Sequence, residues 1–109
     1  MKDIAKTLKA LADETRLQIM ALLLRHEELC GCDFEKVLGI SQSKTSRHLR
    51  YLLNAGLLED RREAVWSHYR IAKKLSKEQR AILKTLAGIC RDDRMADLYK
   101  KSQRCIKRC

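Results

Sequence analysis

Not one of the 109 residues is a proline, and only four are glycines. A chain so poor in turn formers cannot make the many reversals of an all-β sandwich or barrel, so helices must carry most of it. Apolar residues make up 45% of the chain and aromatics only 5%. The core is therefore expected to be mostly Leu, Ile, Ala and Val. The length suits one domain spanning residues 1–109 and is too short for two.

Periodicity divides the chain. Ile4, Leu8 and Leu11 open it at helical spacing. Asp13 reads as the N-cap of a second helix with Leu17, Met20, Ala21 and Leu24 on its apolar stripe. The period breaks over residues 27–32. Asp33 reads as the cap of a short helix, Phe34 to Leu38, closed by Gly39; Ser41 then caps a helix from Gln42 to Asn54, which Gly56 ends. Two short helices joined this way form a helix-turn-helix over about 33–54. From 57 to 71 the period shifts to two, giving a β-hairpin with its tip at Arg62-Glu63-Ala64. Ser76 and Gln79 form a capping box for a helix bearing Ile82, Leu83, Leu86, Ile89 and Cys90. A further stretch carries Met95, Leu98, Tyr99, Ser102 and Ile106, after Arg91-Asp92-Asp93-Arg94. The expected fold is mainly α with a small β-hairpin: a winged helix-turn-helix with its wing at about 57–71, dimerising through terminal helices at about 76–107.

The formal net charge is +10, more than solubility requires, and it suits a polyanionic partner. The longest apolar run, Ile19 to Leu24, is far too short to span a bilayer, and the N-terminus lacks a signal-peptide core. A cytoplasmic protein with no membrane partner is expected. On the helix of residues 42–54, Thr45, Leu49, Leu52 and Leu53 share one face. Gln42, Ser43, Lys44, Ser46, Arg47 and Arg50 present donors and positive charge elsewhere. The major groove requires this kind of strip: Arg for guanine, Gln for adenine, Ser for bases or phosphates, with Lys44 placed for phosphate. Arg61 and Arg62, with His68 and Arg70, add cations to the hairpin for phosphate or minor-groove contacts.

Three segments carry a family resemblance. Leu8-Lys9-Ala10-Leu11-Ala12-Asp13-Glu14-Thr15-Arg16-Leu17, Ser41-Gln42-Ser43-Lys44-Thr45-Ser46-Arg47-His48-Leu49 and Asn54-Ala55-Gly56-Leu57-Leu58 together resemble the ArsR-type winged-helix metal-sensing repressors. The resemblance implies a homodimer on an inverted-repeat operator in double-stranded DNA, released when an inducer binds. Two positions depart from the family pattern: Glu14 stands where proline is frequent, and Ala64 near the wing tip where glycine is common.

Five cysteines, Cys30, Cys32, Cys90, Cys105 and Cys109, are a surplus that calls for metal or redox chemistry. In a reducing compartment they are expected as thiols. Thiolates are soft donors, and As(III) prefers three in a pyramid. Leu29-Cys30-Gly31-Cys32-Asp33 is also similar to the Cys-x-Cys-Asp signature of the family's As(III), Sb(III), Cd(II) and Pb(II) sensors. Within a helix, residues two apart point about 200° from each other, so chelation by Cys30 and Cys32 requires non-helical backbone there. Glu35 occupies the position where the family motif has its third cysteine. The third thiolate is then absent or supplied by Cys105 or Cys109, from the same or the partner subunit. Cys90 lies on an apolar stripe and reads as core; His26 lies near the thiols, and His48 reads as structural or phosphate-contacting. As(III) or Sb(III) is the expected inducer, with Cd(II) or Pb(II) as alternatives and no permanently bound cofactor. A thiol redox or reactive-sulfur switch on the same fold is the competing reading. The chain contains no Cys-x-x-Cys, nucleophile–base motif or phosphate-binding glycine loop, so an enzyme is not expected.

Overall fold

A computed structural model describes residues 1–91 and 96–106. Helix α1 (Lys2–Leu11) buries Thr7, Ala10 and Leu11. The Asp13 carboxylate then accepts the Arg16 amide at 3.0 Å and starts α2 (Glu14–Arg25), as the sequence predicts. Helix α2 is not the one-sided helix its stripe implied. Ile19 through Leu23 are all buried, whereas Leu17 is exposed. The reason is position, since α1, α3, α4, α5 and the sheet all pack against this helix.

A two-residue strand, β1 (Leu29–Cys30), follows; periodicity gave no sign of it. It leads directly into α3 (Gly31–Leu38), which begins earlier than expected because Cys30, not Asp33, is its cap. Gly39 ends α3 at φ 64, in the left-handed region where a side chain is disfavoured. Helix α4 (Gln42–Asn54) has the predicted bounds and the predicted Ser41 cap. Strands β2 (Leu58–Glu63) and β3 (Trp66–Ile71) form the hairpin, and β3 lies centrally in an antiparallel sheet ordered β1-β3-β2. The register places Glu63 opposite Trp66, so the tip is the two-residue loop Ala64–Val65, displaced from the expected Arg62-Glu63-Ala64. Ala64 takes φ 57 there.

Helix α5 (Lys77–Ile89) starts from the predicted capping box, with the Ser76 hydroxyl accepting the Gln79 amide and the Gln79 side chain accepting the Ser76 amide. The Gln79 amide group also donates to the Thr7 hydroxyl and the Ala55 carbonyl, both at 3.2 Å. One side chain therefore joins α5, α1 and the end of α4. Helix α6 (Ala96–Cys105) buries Tyr99 and Ser102 against its own chain, the Tyr99 hydroxyl donating to the Ala21 carbonyl at 3.4 Å. The core is one cluster. Phe34 within it is fully buried, edge-on to Tyr69 at 6.4 Å between ring centroids. Among the described residues, no helix is long and apolar enough to cross a membrane.

Candidate nucleic-acid interface and thiol pair

Helix α4 is held from beneath. Thr45, Leu49 and Leu52 are buried, and the Thr45 hydroxyl donates back to the Ser41 carbonyl at 2.8 Å. Gln42, Ser43, Lys44, Ser46, Arg47 and Arg50 are all exposed. The side chains that sequence reasoning assigned to DNA thus form a continuous solvent-facing strip on a helix whose other face is fixed in the core. His48 does not join that strip. Its Nδ1 lies 3.3 Å from Arg16 Nη1 and 3.8 Å from the Asp13 carboxylate. Partial burial holds its pKa below the ordinary histidine value. Arg16 completes the clamp: its Nε donates to the Ala10 carbonyl at 2.7 Å and its guanidinium covers the Tyr51 ring at 4.1 Å. This cation–π contact fastens the start of α2 to α4.

The wing is less free than its sequence implies. Arg61 donates to both Glu28 oxygens, at 2.9 and 2.6 Å, and to Glu63 at 2.8 Å. Those hydrogen bonds hold the Glu28 carboxyl below its usual range and push the arginine's pKa further up. His68 stands 3.7 Å from Glu28 and 3.9 Å from Glu63, and Arg70 donates to Glu59 at 2.6 Å. Arg62 is exposed, and among the described residues it makes no carboxylate pair, so it is the wing cation most available to a phosphate.

The Cys30 and Cys32 side chains are brought together, paired sulfur to sulfur with a Cα–Cα distance of 5.4 Å, rather than standing as separate thiols. The strand-to-helix junction makes this geometry. Cys30 is extended (φ −82, ψ 159) while Cys32 already lies in the first turn, so the 200° divergence of two helical residues does not apply. The Cys30 sulfur accepts the Cys32 amide at 3.2 Å, and the buried Asp33 carboxylate accepts the Cys30 amide at 2.9 Å. It is a capping box with sulfur in the place of the usual hydroxyl. The pair opens into a cleft of about 270 Å³, walled by Glu35, by Gln42 and Ser46 of α4, and by Arg62, Trp66 and Tyr69 of the wing. A ligand on these sulfurs therefore sits between α4 and the β2–β3 hairpin.

Cys105 is half-buried, packs against the core from α6 and does not line this cleft. Cys109 lies outside the described residues. Cys90 is buried, caps α5, and burial raises its thiol pKa, in keeping with a core role. Among the described residues, no group of three or more His, Cys, Asp or Glu side chains has metal-holding geometry. The junction thus offers two soft donors, one short of a three-thiolate pyramid.

A helix-turn-helix with an exposed polar strip, flanked by a three-stranded wing, is the fold of a DNA-binding transcriptional regulator and not of an enzyme. The comparisons agree. The sequence profile of the bacterial regulatory protein arsR family matches residues 13–60. HlyU from Vibrio cholerae superposes with a TM-score of 0.72 at 34% identity, covering 84% of this chain and 95% of HlyU. The chain belongs to the arsR family of bacterial regulatory proteins. It is 53% identical over 64 residues to the arsenical resistance operon repressor of Escherichia coli, a match covering 59% of this chain and 55% of that protein. The homodimeric winged helix-turn-helix domain of Mb0332 from Mycobacterium bovis is also similar, with a TM-score of 0.68 at 28% identity, covering 84% of this chain and 82% of that domain.

Proposed function

We propose that this protein is a homodimeric transcriptional repressor of a metalloid-resistance operon, released from an inverted-repeat operator when a thiophilic ion binds Cys30 and Cys32. The observation that carries this reading is the Cys30 sulfur serving as the cap of α3, the first helix of the DNA-reading pair. Ligation competes for the sulfur lone pairs that accept the Cys32 amide, which weakens this cap, and it places the ion in the cleft between α4 and the wing. A coupling of about 1–3 kcal/mol between ion and operator is the usual range for allosteric effectors. As(III) or Sb(III) is the favoured inducer, in line with the similarity to the E. coli repressor. The third thiolate is absent or comes from Cys105 or Cys109, and for Cys105 its position away from the cleft favours a partner subunit as the donor. Cd(II) and Pb(II) are the alternatives. DNA contacts are assigned to Gln42, Ser43, Lys44, Ser46, Arg47 and Arg50, with Arg62 ahead of Arg61 on the wing.

Dimerisation is assigned to an apolar surface on α1, α2 and α5, where Leu8 and Ile89 are 51% and 61% exposed beside Leu11, Leu17, Ile82 and Leu86. A monomer seldom leaves such a patch in water. Helix α6 is expected to share this role from the face that Tyr99 and Ser102 leave outward.

One observation favours a second reading. The Cys30 and Cys32 sulfurs are paired, which is the arrangement of a thiol–disulfide switch. Fluorescence anisotropy of the reduced protein on its own upstream DNA separates the two. Release by arsenite under reducing conditions supports the ion sensor. Release only by oxidant, reversed by dithiothreitol, supports the redox switch.

A further inference from the structure

The wing tip carries surface that electrostatics does not account for. Val65 is 77% exposed and Trp66, the chain's single tryptophan, 54%. Leaving an indole in water forgoes about 25 cal/mol for each Å² it exposes, and the fold does nothing to hide it. Arg61 is shared between Glu63 at 2.8 Å and Glu28 at 2.6 Å, so among the described residues Arg62 is the arginine at the tip without a carboxylate partner. Arg62 and Trp66 form one wall of the cleft whose opposite wall holds Gln42 and Ser46 of the DNA-facing helix. The tip and the α4 strip thus border a single concave surface. The apolar patch assigned to dimerisation lies elsewhere, on α1, α2 and α5.

We propose that Trp66 is a DNA-contacting residue: the indole packs against the sugar wall of the minor groove beside the site read by α4, with Arg62 fixing it to the adjacent phosphate. The inference rests on the DNA-binding reading above and adds a contact of a different kind. An indole offers apolar area to deoxyribose and one N–H donor to the acceptors on the minor-groove floor, and apolar side chains set at that groove are a recurrent way of gripping bent duplex. Its contribution is insensitive to salt, unlike that of the arginines.

The test uses the reduced full chain and a fluorescein-labelled 30-base-pair duplex from its own upstream region. Because Trp66 is the sole tryptophan, its emission reports on the tip alone. Binding should shift that emission to the blue and lower acrylamide quenching about twofold or more. Trp66→Ala should weaken binding about tenfold with the salt slope unchanged, and Trp66→Phe should recover part of the loss. The variants' circular dichroism and Tm, compared with the parent's, separate this effect from misfolding. Normal anisotropy binding by Trp66→Ala, with the parent's emission unmoved by DNA, overturns the inference and leaves the DNA reading intact. No anisotropy change for the parent at any salt concentration overturns both. An emission shift that follows protein concentration without DNA assigns the indole to a contact between copies and also overturns it.

Discussion

Arg61 Nη2 stands 2.6 Å from Glu28 Oε1, so a wing arginine is held by a carboxylate two residues ahead of the thiol pair. The pairing links the β2–β3 hairpin to the segment that carries Cys30, and the β1–β3 register of Cys30 opposite His68 reinforces the link. It also divides two adjacent arginines by availability. Arg62→Ala should lower operator affinity and reduce the salt slope by about one phosphate contact, whereas Arg61→Ala should change either by less than about twofold. Glu28→Gln should loosen Arg61 and steepen the slope. Anisotropy titrations across a salt series measure all three.

The sulfur cap of α3 sets the hierarchy of cysteine variants. Cys30→Ser keeps a good capping residue and should fold like the parent while losing the response to the ion. Cys30→Ala should lose that response and, the sulfur being a weaker acceptor than a hydroxyl, less than about 1 kcal/mol of stability as well. Cys32→Ser should bind DNA normally and no longer be induced. Urea denaturation read beside arsenite release distinguishes the stability effect from the sensing effect.

At the wing tip, Ala64 occupies φ 57, a conformation a Cβ disfavours by about 1–2 kcal/mol. Ala64→Gly relieves it and should raise the melting temperature by a few degrees, the gain trimmed by glycine's greater freedom when unfolded. Gly39→Ala makes the reverse change at φ 64 and should lower it. Differential scanning fluorimetry shows both signs.

Acidification should act first at His48. Its folded pKa lies below the ordinary 6.5, chiefly through burial. The unfolded chain therefore takes up the proton at higher pH than the folded one, and stability falls as pH drops from 6.5 through the folded value. Asp13 acts later. The Arg16 amide holds its carboxyl below 3.8, so the stability it supplies is present above that value and lost as pH falls through the folded one. His48→Gln should flatten the upper window and spare the lower, as denaturation midpoints against pH would show.

What the sequence reveals depends on the range of the signal. Helix α4 was legible to the residue because Ser41, the 3.6-residue apolar spacing and Gly56 are all local. Strand β1 was not, because two residues carry no period and its partner lies near residue 69. The cap of α3 was misassigned to Asp33 because cysteine is not among the familiar capping residues. Asp33 instead answers from the third position of the box. Arg61 looked available for DNA because its acid is 33 residues distant in the chain. The Cys30–Cys32 pair was visible as a motif, but the cleft that places it beside Gln42 and Arg62 comes only from packing.

Gln79 holds the Thr7 hydroxyl and the Ala55 carbonyl with one amide. Its geometric consequence is that the pitch of α4 is governed from the rear. A swivel of the helix that presents Arg47 and Arg50 strains its tether to α1 and α5. Whatever surface those two helices press against becomes the fulcrum about which α4 is aimed.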